Sequence, residues 1–401
     1  MPPTSSHENV LRQLKTTQSD RRRRCQAMGW DVPDDDPNVR QALEHPGPLA
    51  TVVCSRLGHD TTRHRLMARH LAASMQAMRA SGATLLIADG TAVGPWAMQA
   101  ADLFGVPILL LNKSDDRDLR LISLADRVDV AYCRPKGKVT GLIRRRCAIE
   151  SGIVRVAIGS KHETALLEAG AIGLFLSAES ESPCSNTDLL SSLSADSLSP
   201  CIAMDQIDWD EFLVHCTRAA PGPWPKQTIR QYRDEMLLGD AATASRSAPA
   251  ALARIVRGRR LIAGAVTSSH QIPVVCFSAV PLPELLSRRT YRSHLHRWDY
   301  EPYGIAIRKT AAEQIGIEPV VYAEDVLRSG LGSGQLHRFQ ACGKTTDWRV
   351  EKEWRAAEDV DLDALDPTDV CVFSANGDWA DRLSTVNHRS WPLVNVPCPI
   401  N

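Results

Sequence analysis

The chain has 401 residues, of which 43% are hydrophobic, and its 47 basic residues balance 47 acidic ones. Zero net charge provides no global attraction to nucleic acid, and this length favours two domains over one. The 11 cysteines include no CxxC pair, which excludes the common metal and disulfide frameworks. There is no apolar run of the roughly 18 residues that span a membrane, and no signal peptide. We therefore expect a cytoplasmic protein with no membrane segment and no metal.

Residues 1–48 are expected to form a flexible lead-in to the first domain. They contain four consecutive arginines, Arg21–Arg24, followed by the acidic run Asp34–Asp36. A run of like charge is typical of a solvated face, and an arm that binds anions is the alternative.

Residues 49–176 alternate short apolar strands with amphipathic helices. Met67, Leu71, Met75 and Met78 recur at helical spacing and predict a buried stripe. Strands that alternate with helices indicate a doubly wound parallel sheet. The strands are predicted at Thr51–Cys54, Thr84–Asp89, Val106–Asn112, Val128–Cys133 and Val154–Ile158, and the helices at Arg63–Ala80, Pro95–Phe104, Val139–Ile149 and Lys161–Ala169.

A Ser-rich stretch, residues 177–204, is predicted to be a linker. Residues 205–401 then mix strands and helices without regular alternation, which indicates an α+β domain. Its strands are predicted at Pro273–Ser278, Gly304–Arg308, Glu318–Ala323 and Asp369–Ser374.

The turn after the second predicted strand is the candidate anion site of the first domain. Gly90 and Gly94 allow a close approach of the backbone, and Thr91 adds a hydroxyl donor. A phosphate is favoured there by the unpaired N–H groups and the dipole at a helix N-terminus. Ser55 and Arg56, after the first strand, supply a second contact. The alternative is a plain glycine turn, because neither GxGxxG nor a P-loop is present.

Residues Val52–Gly58 and Ala88–Asn112 resemble the SLOG superfamily of Rossmann-like domains, which includes DprA and the LOG enzymes. LOG enzymes carry a catalytic Glu on the helix after the turn, where this chain has Trp96 and Ala97. The resemblance therefore implies a domain that senses a nucleotide-derived signal or DNA ends.

The second domain carries a concentration of charged and aromatic residues. If Asp347–Arg355 is a strand, then Glu351 and Glu353 share one face with Arg349 and Arg355. Such a set is either a salt-bridged surface ladder or a site. Upstream, His294, His296 and Arg297 offer acid–base groups or anion contacts. Trp298, Tyr300 and Tyr303 offer stacking faces, and packing in a hydrophobic core and an interface is the alternative for these rings.

The order of CF-x-x-x-PL from Cys276, YGI from Tyr303, PV-x-Y from Pro319 and W-x-x-EKEWR from Trp348 resembles AbiGi-type abortive-infection proteins. It is also similar to the DarT group of DNA-directed ADP-ribosyltransferases. That resemblance implies NAD as a substrate, with Glu353 as the catalytic carboxylate. Arg308 or Arg297 would bind phosphate, and Tyr303 would stack on the substrate.

Together these features predict a bacterial phage-defence or stress protein in which a nucleotide-sensing domain controls an ADP-ribosyltransferase-like effector. The acceptor would be nucleic acid or protein. The alternative is a non-catalytic protein that binds nucleotides or DNA, with Arg254–Arg260 and Arg288–Arg297 on the phosphate backbone. The sequence leaves open whether the chain forms a homo-oligomer.

Overall fold

A computed structural model describes most of the chain, and its contacts divide the chain into two compact units. The first unit comprises Met1–Ser180 and Ile229–Ala244, and the second comprises Glu181–Thr228 and Ser245–Asn401. The described residues are 17–33, 35–149, 153–158, 163–176, 201–265, 272–324, 330, 332–342, 347–375, 387, 389 and 391–397.

The first unit contains a six-stranded sheet in the order β3-β2-β1-β4-β5-β6, with every neighbouring pair parallel. The strands are β1 (Leu49–Cys54), β2 (Thr84–Ala88), β3 (Ile108–Leu111), β4 (Arg127–Tyr132), β5 (Ile153–Ala157) and β6 (Ile172–Leu174). The order reverses between β1 and β4. This is the predicted doubly wound sheet, and β1, β2 and β4 are largely buried because helices cover both faces, whereas β3, β5 and β6 include exposed residues.

Among the described residues, seven helices lie in the lead-in and in the connections between the strands of this sheet, and two more lie in residues 229–244. They are α1 (17–27), α2 (Pro37–Glu44), α3 (Thr61–Ser81), α4 (Gly94–Phe104), α5 (Arg117–Leu124), α6 (Lys138–Cys147), α7 (Thr164–Glu168), α8 (Ile229–Leu238) and α9 (Ala241–Ala244). The buried core on one face includes residues of α1, α2, α5 and α6, and that on the other includes residues of α3, α4 and α8.

The predicted buried stripe of α3 is confirmed. Met67, Leu71, Met75 and Met78 are all buried against β1 and β2. The Asp60 side chain accepts from the N–H of Arg63 at the start of the helix, and Gly82 ends it in a left-handed conformation.

The described part of the lead-in differs from the expected flexible, solvated segment. Arg21 and Arg24 of α1 are buried, and both form ion pairs with Asp126 at 2.6 and 2.8 Å. Arg23 is exposed. The run of like charge is therefore split between the two faces of a helix, and one of those faces packs inside the first unit.

The second unit contains an eight-stranded mixed sheet in the order β14-β17-β10-β8-β13-β19-β20-β7. β8, β10, β13, β14, β17 and β19 pair antiparallel, whereas β20 pairs parallel with β19 and β7. The strands are β7 (Cys201–Ala203), β8 (Phe212–Cys216), β10 (Val275–Ser278), β13 (Tyr303–Arg308), β14 (Glu318–Pro319), β17 (Glu353–Ala356), β19 (Val370–Ser374) and β20 (Leu393–Asn395).

The described part of this unit also contains three two-stranded pairs and three α-helices. The pairs are β11 (Tyr291–Arg292) with β12 (Arg297–Trp298), β15 (Val321–Ala323) with β16 (Phe339–Ala341), and β9 (Arg260–Leu261) with β18 (Val360–Asp361). The helices are α10 (Ala248–Gly258), α11 (Leu282–Ser287) and α12 (Lys309–Gln314). Two apolar cores contain residues from this sheet.

Three boundaries differ from the sequence prediction. Residues 229–244 pack in the first unit and not in the second. The linker prediction ends too late, since Cys201–Ala203 form β7; its residues 177–200 lie outside the described residues. The predicted strand Glu318–Ala323 is divided at Val320 between two sheets. Among the described residues, no helix is long and apolar enough to cross a membrane.

Candidate functional site

Glu353 lies at the start of β17, where pairing with β10 places four polar side chains on one face of the sheet. Ser278 is opposite Glu353, and Cys276 is opposite Arg355. Opposed residues of an antiparallel pair, and residues two apart on one strand, project to the same face. The Arg355 guanidinium donates to both Glu353 carboxylate oxygens, at 3.0 and 2.9 Å. A two-point ion pair of this kind fixes the carboxylate in position.

Arg355 is itself held by three further acceptors. It donates to the carbonyls of His337 and Phe339 at 3.1 and 3.0 Å, and to Oε1 of Gln340 at 2.8 Å. Burial lowers the pKa of Arg355, but hydrogen bonding and charge from Glu353 outweigh burial, so its pKa is raised. The Glu353 carboxylate is thus held by a guanidinium that three other acceptors fix in place.

Glu351 does not share a strand with Glu353, so the prediction of one strand over Asp347–Arg355 is wrong. Trp348–Glu351 form a 3-10 helix, and Lys352 turns the chain with a φ of 43° before β17 begins. The tight turn still leaves the two carboxyl groups within electrostatic range. Burial raises the pKa of Glu351, and the charge of Glu353 raises it further.

Two tyrosines reach this pair of carboxyl groups. The hydroxyl of Tyr322, on β15, accepts the backbone N–H of Glu353 at 3.1 Å. The Tyr300 hydroxyl hydrogen-bonds the carboxyl of Glu351, which opposes the rise in the Glu351 pKa. Burial raises the pKa of both tyrosines, and the charge of Glu351 adds to the rise at Tyr300. Both hydroxyls therefore keep their protons at neutral pH.

Sequence reasoning missed three residues beside this group. Cys276 hydrogen-bonds Glu353, and burial together with that carboxylate raises the pKa of its thiol to about 12. His215 donates from Nδ1 to the Cys276 carbonyl at 2.8 Å, and burial lowers the pKa of its imidazole to about 4. A neutral ring held in this tautomer leaves Nε2 as an acceptor.

Arg218 is the third missed residue, and it directly follows the β8 segment of the sheet. Thr217 fixes the backbone there with bonds to the carbonyls of Tyr303 and Ala248. The Arg218 side chain is exposed, and its charge lowers the pKa of Glu351 and that of Arg297. The only signal in the sequence was a single His and a following Arg at the end of a short apolar strand.

The hairpin of β11 and β12 holds three of the predicted site residues. The Trp298 ring meets Tyr291 edge-on at 5.4 Å, and the guanidinium of Arg289 lies 4.2 Å from its centroid. The Trp298 ring therefore already has an aromatic and a cationic neighbour. Arg297 is half-buried, and burial followed by the charge of Arg218 lowers its pKa. His294 is exposed in the turn.

Tyr303 and Arg308 occupy opposite ends of β13. Tyr303 packs against both apolar cores of the second unit. Arg308 pairs with Glu211 and, at 3.1 Å, with Asp369, while its guanidinium lies over the Phe212 ring. Two carboxylates thus already pair with Arg308, and its assignment to phosphate binding or catalysis stays a prediction.

The first unit has a separate candidate site, a pocket of about 200 Å³ at the carboxyl ends of β1 and β2. Ligands of doubly wound sheets bind at this edge, near the point where the strand order reverses. The lining residues are Cys54, Ser55, Arg56, Leu57, Gly58, His64, Met67, Ala92, Val93 and Trp96. Ser55 and Arg56 therefore line a pocket, as a binding role requires.

The glycine turn lies beside this pocket and not on its wall. The Thr91 hydroxyl donates to the Ala88 carbonyl at 3.1 Å, which occupies the donor assigned to a phosphate. A side chain at Gly94 would come within 2.8 Å of that hydroxyl, so Gly94 is needed for packing. Gly90 has a φ of 78°. The three turn residues shape the loop, and Ala92, Val93 and Trp96 form the wall.

The loop after β4 adds a cation to the loop after β1. The backbone N–H of Arg134 donates to the Ser55 hydroxyl at 3.2 Å, and its guanidinium donates to the Arg56 carbonyl at 3.0 Å. Arg63, at the start of α3, lies over the Tyr132 ring. Arg56 lines the pocket and Arg134 contacts the same loop, which favours an anionic ligand, whereas Arg63 pairs with Asp60.

The pocket lining also includes the aromatic rings of His64 and Trp96, which no sequence motif marked as part of a site. The rings of His64 and Trp96 lie 6.4 Å apart. Burial lowers the pKa of His64, so the ring is neutral at physiological pH. A cationic edge together with two aromatic rings in the lining suits a nucleotide, whose phosphate and base need these two surfaces.

Four of the eight arginines in the runs considered for nucleic-acid binding pair with carboxylates. Arg259 pairs with Asp363, Arg260 with Asp361, Arg288 with Glu284 and Arg292 with Asp299. These pairs reduce the charge available to a phosphate backbone.

Comparison of the chain with protein-family models, with curated proteins and with solved structures found no match.

Proposed function

We propose that the second unit is an ADP-ribosyltransferase-like effector that acts on NAD and on a nucleic-acid or protein acceptor. The observation that carries this proposal is the unequal setting of two adjacent carboxyl groups. Glu353 is ion-paired with Arg355, whereas burial raises the pKa of Glu351. Environments that differ in this way assign different roles to two carboxyl groups.

The reaction breaks the bond between ribose C1′ and the nicotinamide nitrogen, and nicotinamide leaves with the bonding electrons. Positive charge develops on the ribose as this bond breaks, and a fixed carboxylate stabilises it. Glu353 has that role. The acceptor then forms a bond to C1′ and loses a proton, which Glu351 accepts as a general base. Its raised pKa suits proton transfer closer to neutral pH than an ordinary carboxylate does.

The remaining parts of NAD have partners of matching chemistry. Arg218 and Arg297 are cations whose charges interact, so a diphosphate between them would relieve their repulsion. Tyr303 remains the candidate for contact with nicotinamide, because the Trp298 ring already has neighbours on its surface.

The first unit supplies the sensing function in this proposal. Its pocket combines Ser55, Arg56 and the neighbouring Arg134 with the rings of His64 and Trp96. We propose that a nucleotide-derived signal binds there and controls the effector, as in a bacterial phage-defence or stress response.

The test is NAD consumption by purified full-length protein, with and without DNA, RNA and AMP. We expect nicotinamide release by the wild type and a loss of at least about 100-fold in Glu353→Gln, which keeps the shape but removes the charge. Glu284→Gln is the matched control, because Glu284 is an exposed carboxylate on α11 that pairs with Arg288. Equal turnover by Glu353→Gln and wild type would refute the catalytic assignment.

A further inference from the structure

Two rings of the pocket also contact a segment from the middle of the chain, residues 229–244. The Tyr232 ring meets Trp96 edge-on at 5.5 Å, and its hydroxyl lies 3.3 Å from Nδ1 of His64. The guanidinium of Arg233 lies 5.6 Å from the Trp96 centroid. His64 and Trp96 both line the pocket. The same two side chains therefore contact the pocket and the segment.

Further contacts outside the pocket wall hold the segment in place. Arg65 of α3 donates to the carbonyls of Met236 and Gly239 at 2.6 and 2.7 Å. Gln99 of α4 donates to the Arg230 carbonyl at 2.8 Å and to the Asp234 carboxylate at 2.6 Å. Tyr232, Met236 and Leu237 are buried in the core shared with α3 and α4. The segment is a docked part of the first unit.

The chain on both sides of this segment belongs to the second unit, which includes residues up to Thr228 and from Ser245. The chain therefore enters the first unit at one end of this segment and returns to the second unit at the other. The sheet of the first unit, β1–β6, is complete without this segment. The segment therefore adds no strand to that sheet.

We infer that residues 229–244 respond to ligand binding in the pocket and transmit it to the rest of the chain. A nucleotide against His64 and Trp96 restricts both rings, and the restricted rings hold Tyr232 and Arg233 more firmly. Ligand affinity and the local stability of the docked segment are thus coupled, and by linkage each changes the other by the same factor. This inference rests on the proposed sensing function, which supplies the ligand.

The experiment is hydrogen exchange of the full-length protein with AMP as the probe, together with calorimetric AMP affinity. In the wild type, AMP slows amide exchange in residues 229–238 by about 5-fold or more, because it suppresses local opening. Arg65→Gln loosens the segment without altering the pocket wall, so exchange is faster, and AMP affinity falls in proportion to the fraction of molecules in which the segment stays docked. Gln99→Ala provides the same test from α4.

Arg79→Gln is the matched control, since Arg79 is an exposed arginine in the last turn of the same helix. It leaves both exchange and affinity unchanged. AMP binding that alters neither exchange in residues 229–238 nor affinity in the two loosened variants overturns this inference and leaves the sensing function standing. Absence of AMP binding by the wild type overturns both.

Discussion

At the scale of single residues, the candidate active site shows how neighbours separate two chemically identical groups. Glu353 accepts both arms of a guanidinium that is itself fixed by backbone carbonyls. Glu351, two residues earlier, has a raised pKa because it is partly buried beside that carboxylate. A carboxyl group in such surroundings is easier to protonate. The difference arises from packing and not from the two residues themselves.

The raised pKa of Glu351 predicts a pH dependence of stability. The folded protein keeps this proton where an unfolded chain, with a pKa of 4.5, has lost it. The stabilising contribution of Glu351 is complete below pH 4.5 and is lost as the pH rises through the pKa of Glu351 in the folded protein. Glu351→Gln cannot ionise, so the unfolding free energy of the wild type should decline relative to this variant from pH 4.5 towards neutrality. Urea unfolding across this range measures the difference, and a constant difference would contradict the assignment.

At the scale of elements, the central strand β13 depends on a glycine that the neighbouring strands leave no room to replace. A Cβ at Gly304 would lie 2.1 Å from the His215 carbonyl oxygen and 2.4 Å from the Phe373 ring. β8 and β19 flank β13 at this point, so neither the backbone nor the ring has space to move aside. The close approach also positions β8, which carries His215 and leads into Arg218.

Gly304→Ala should therefore lower the free energy of unfolding by about 3 kcal/mol, as overpacking of a filled core does. NAD turnover should fall with it, because β8 would be displaced. Gly258→Ala is the control, since a Cβ at Gly258 meets nothing within 4 Å. Denaturant unfolding of both variants gives the comparison, and equal stability would show that the strands separate at little cost.

At the scale of the whole molecule, each unit is built from two separate stretches of chain. The first unit also includes part of what looks like a charged leader. Arg21 spans the carbonyls of Ala42, His45 and Gly47 as well as the carboxylate of Asp126. Neither the run of arginines nor the early position in the chain identifies this role.

Arg21→Ala should destabilise the first unit by about 3 kcal/mol, because it removes one of the two buried arginines that pair with Asp126 and leaves several carbonyls without their donor. Arg23→Ala, two positions along the same helix, should change stability by less than about 0.5 kcal/mol, because Arg23 is exposed. Thermal unfolding of the two variants separates these outcomes. Similar melting temperatures would mean that α1 contributes little to the first unit.

The sequence by itself determined the features that depend on local periodicity. Alternation of apolar runs predicted the parallel sheet of the first unit, and helical spacing predicted the buried stripe from Met67 to Met78. It also placed Glu353 and Arg355 on one strand face. Each of these follows from side-chain direction along one element, which needs no knowledge of distant contacts.

Tertiary structure alone decided which distant residues meet. His215 and Arg218 join Glu351 only because β8, β10 and β17 are neighbours in the sheet, although the chain separates them widely. Arg308, which looked available, is neutralised by Glu211 and Asp369. Residues 229–244 pack in the unit whose sheet strands end at residue 174. Pairings of this kind depend on long-range packing, which no local pattern encodes.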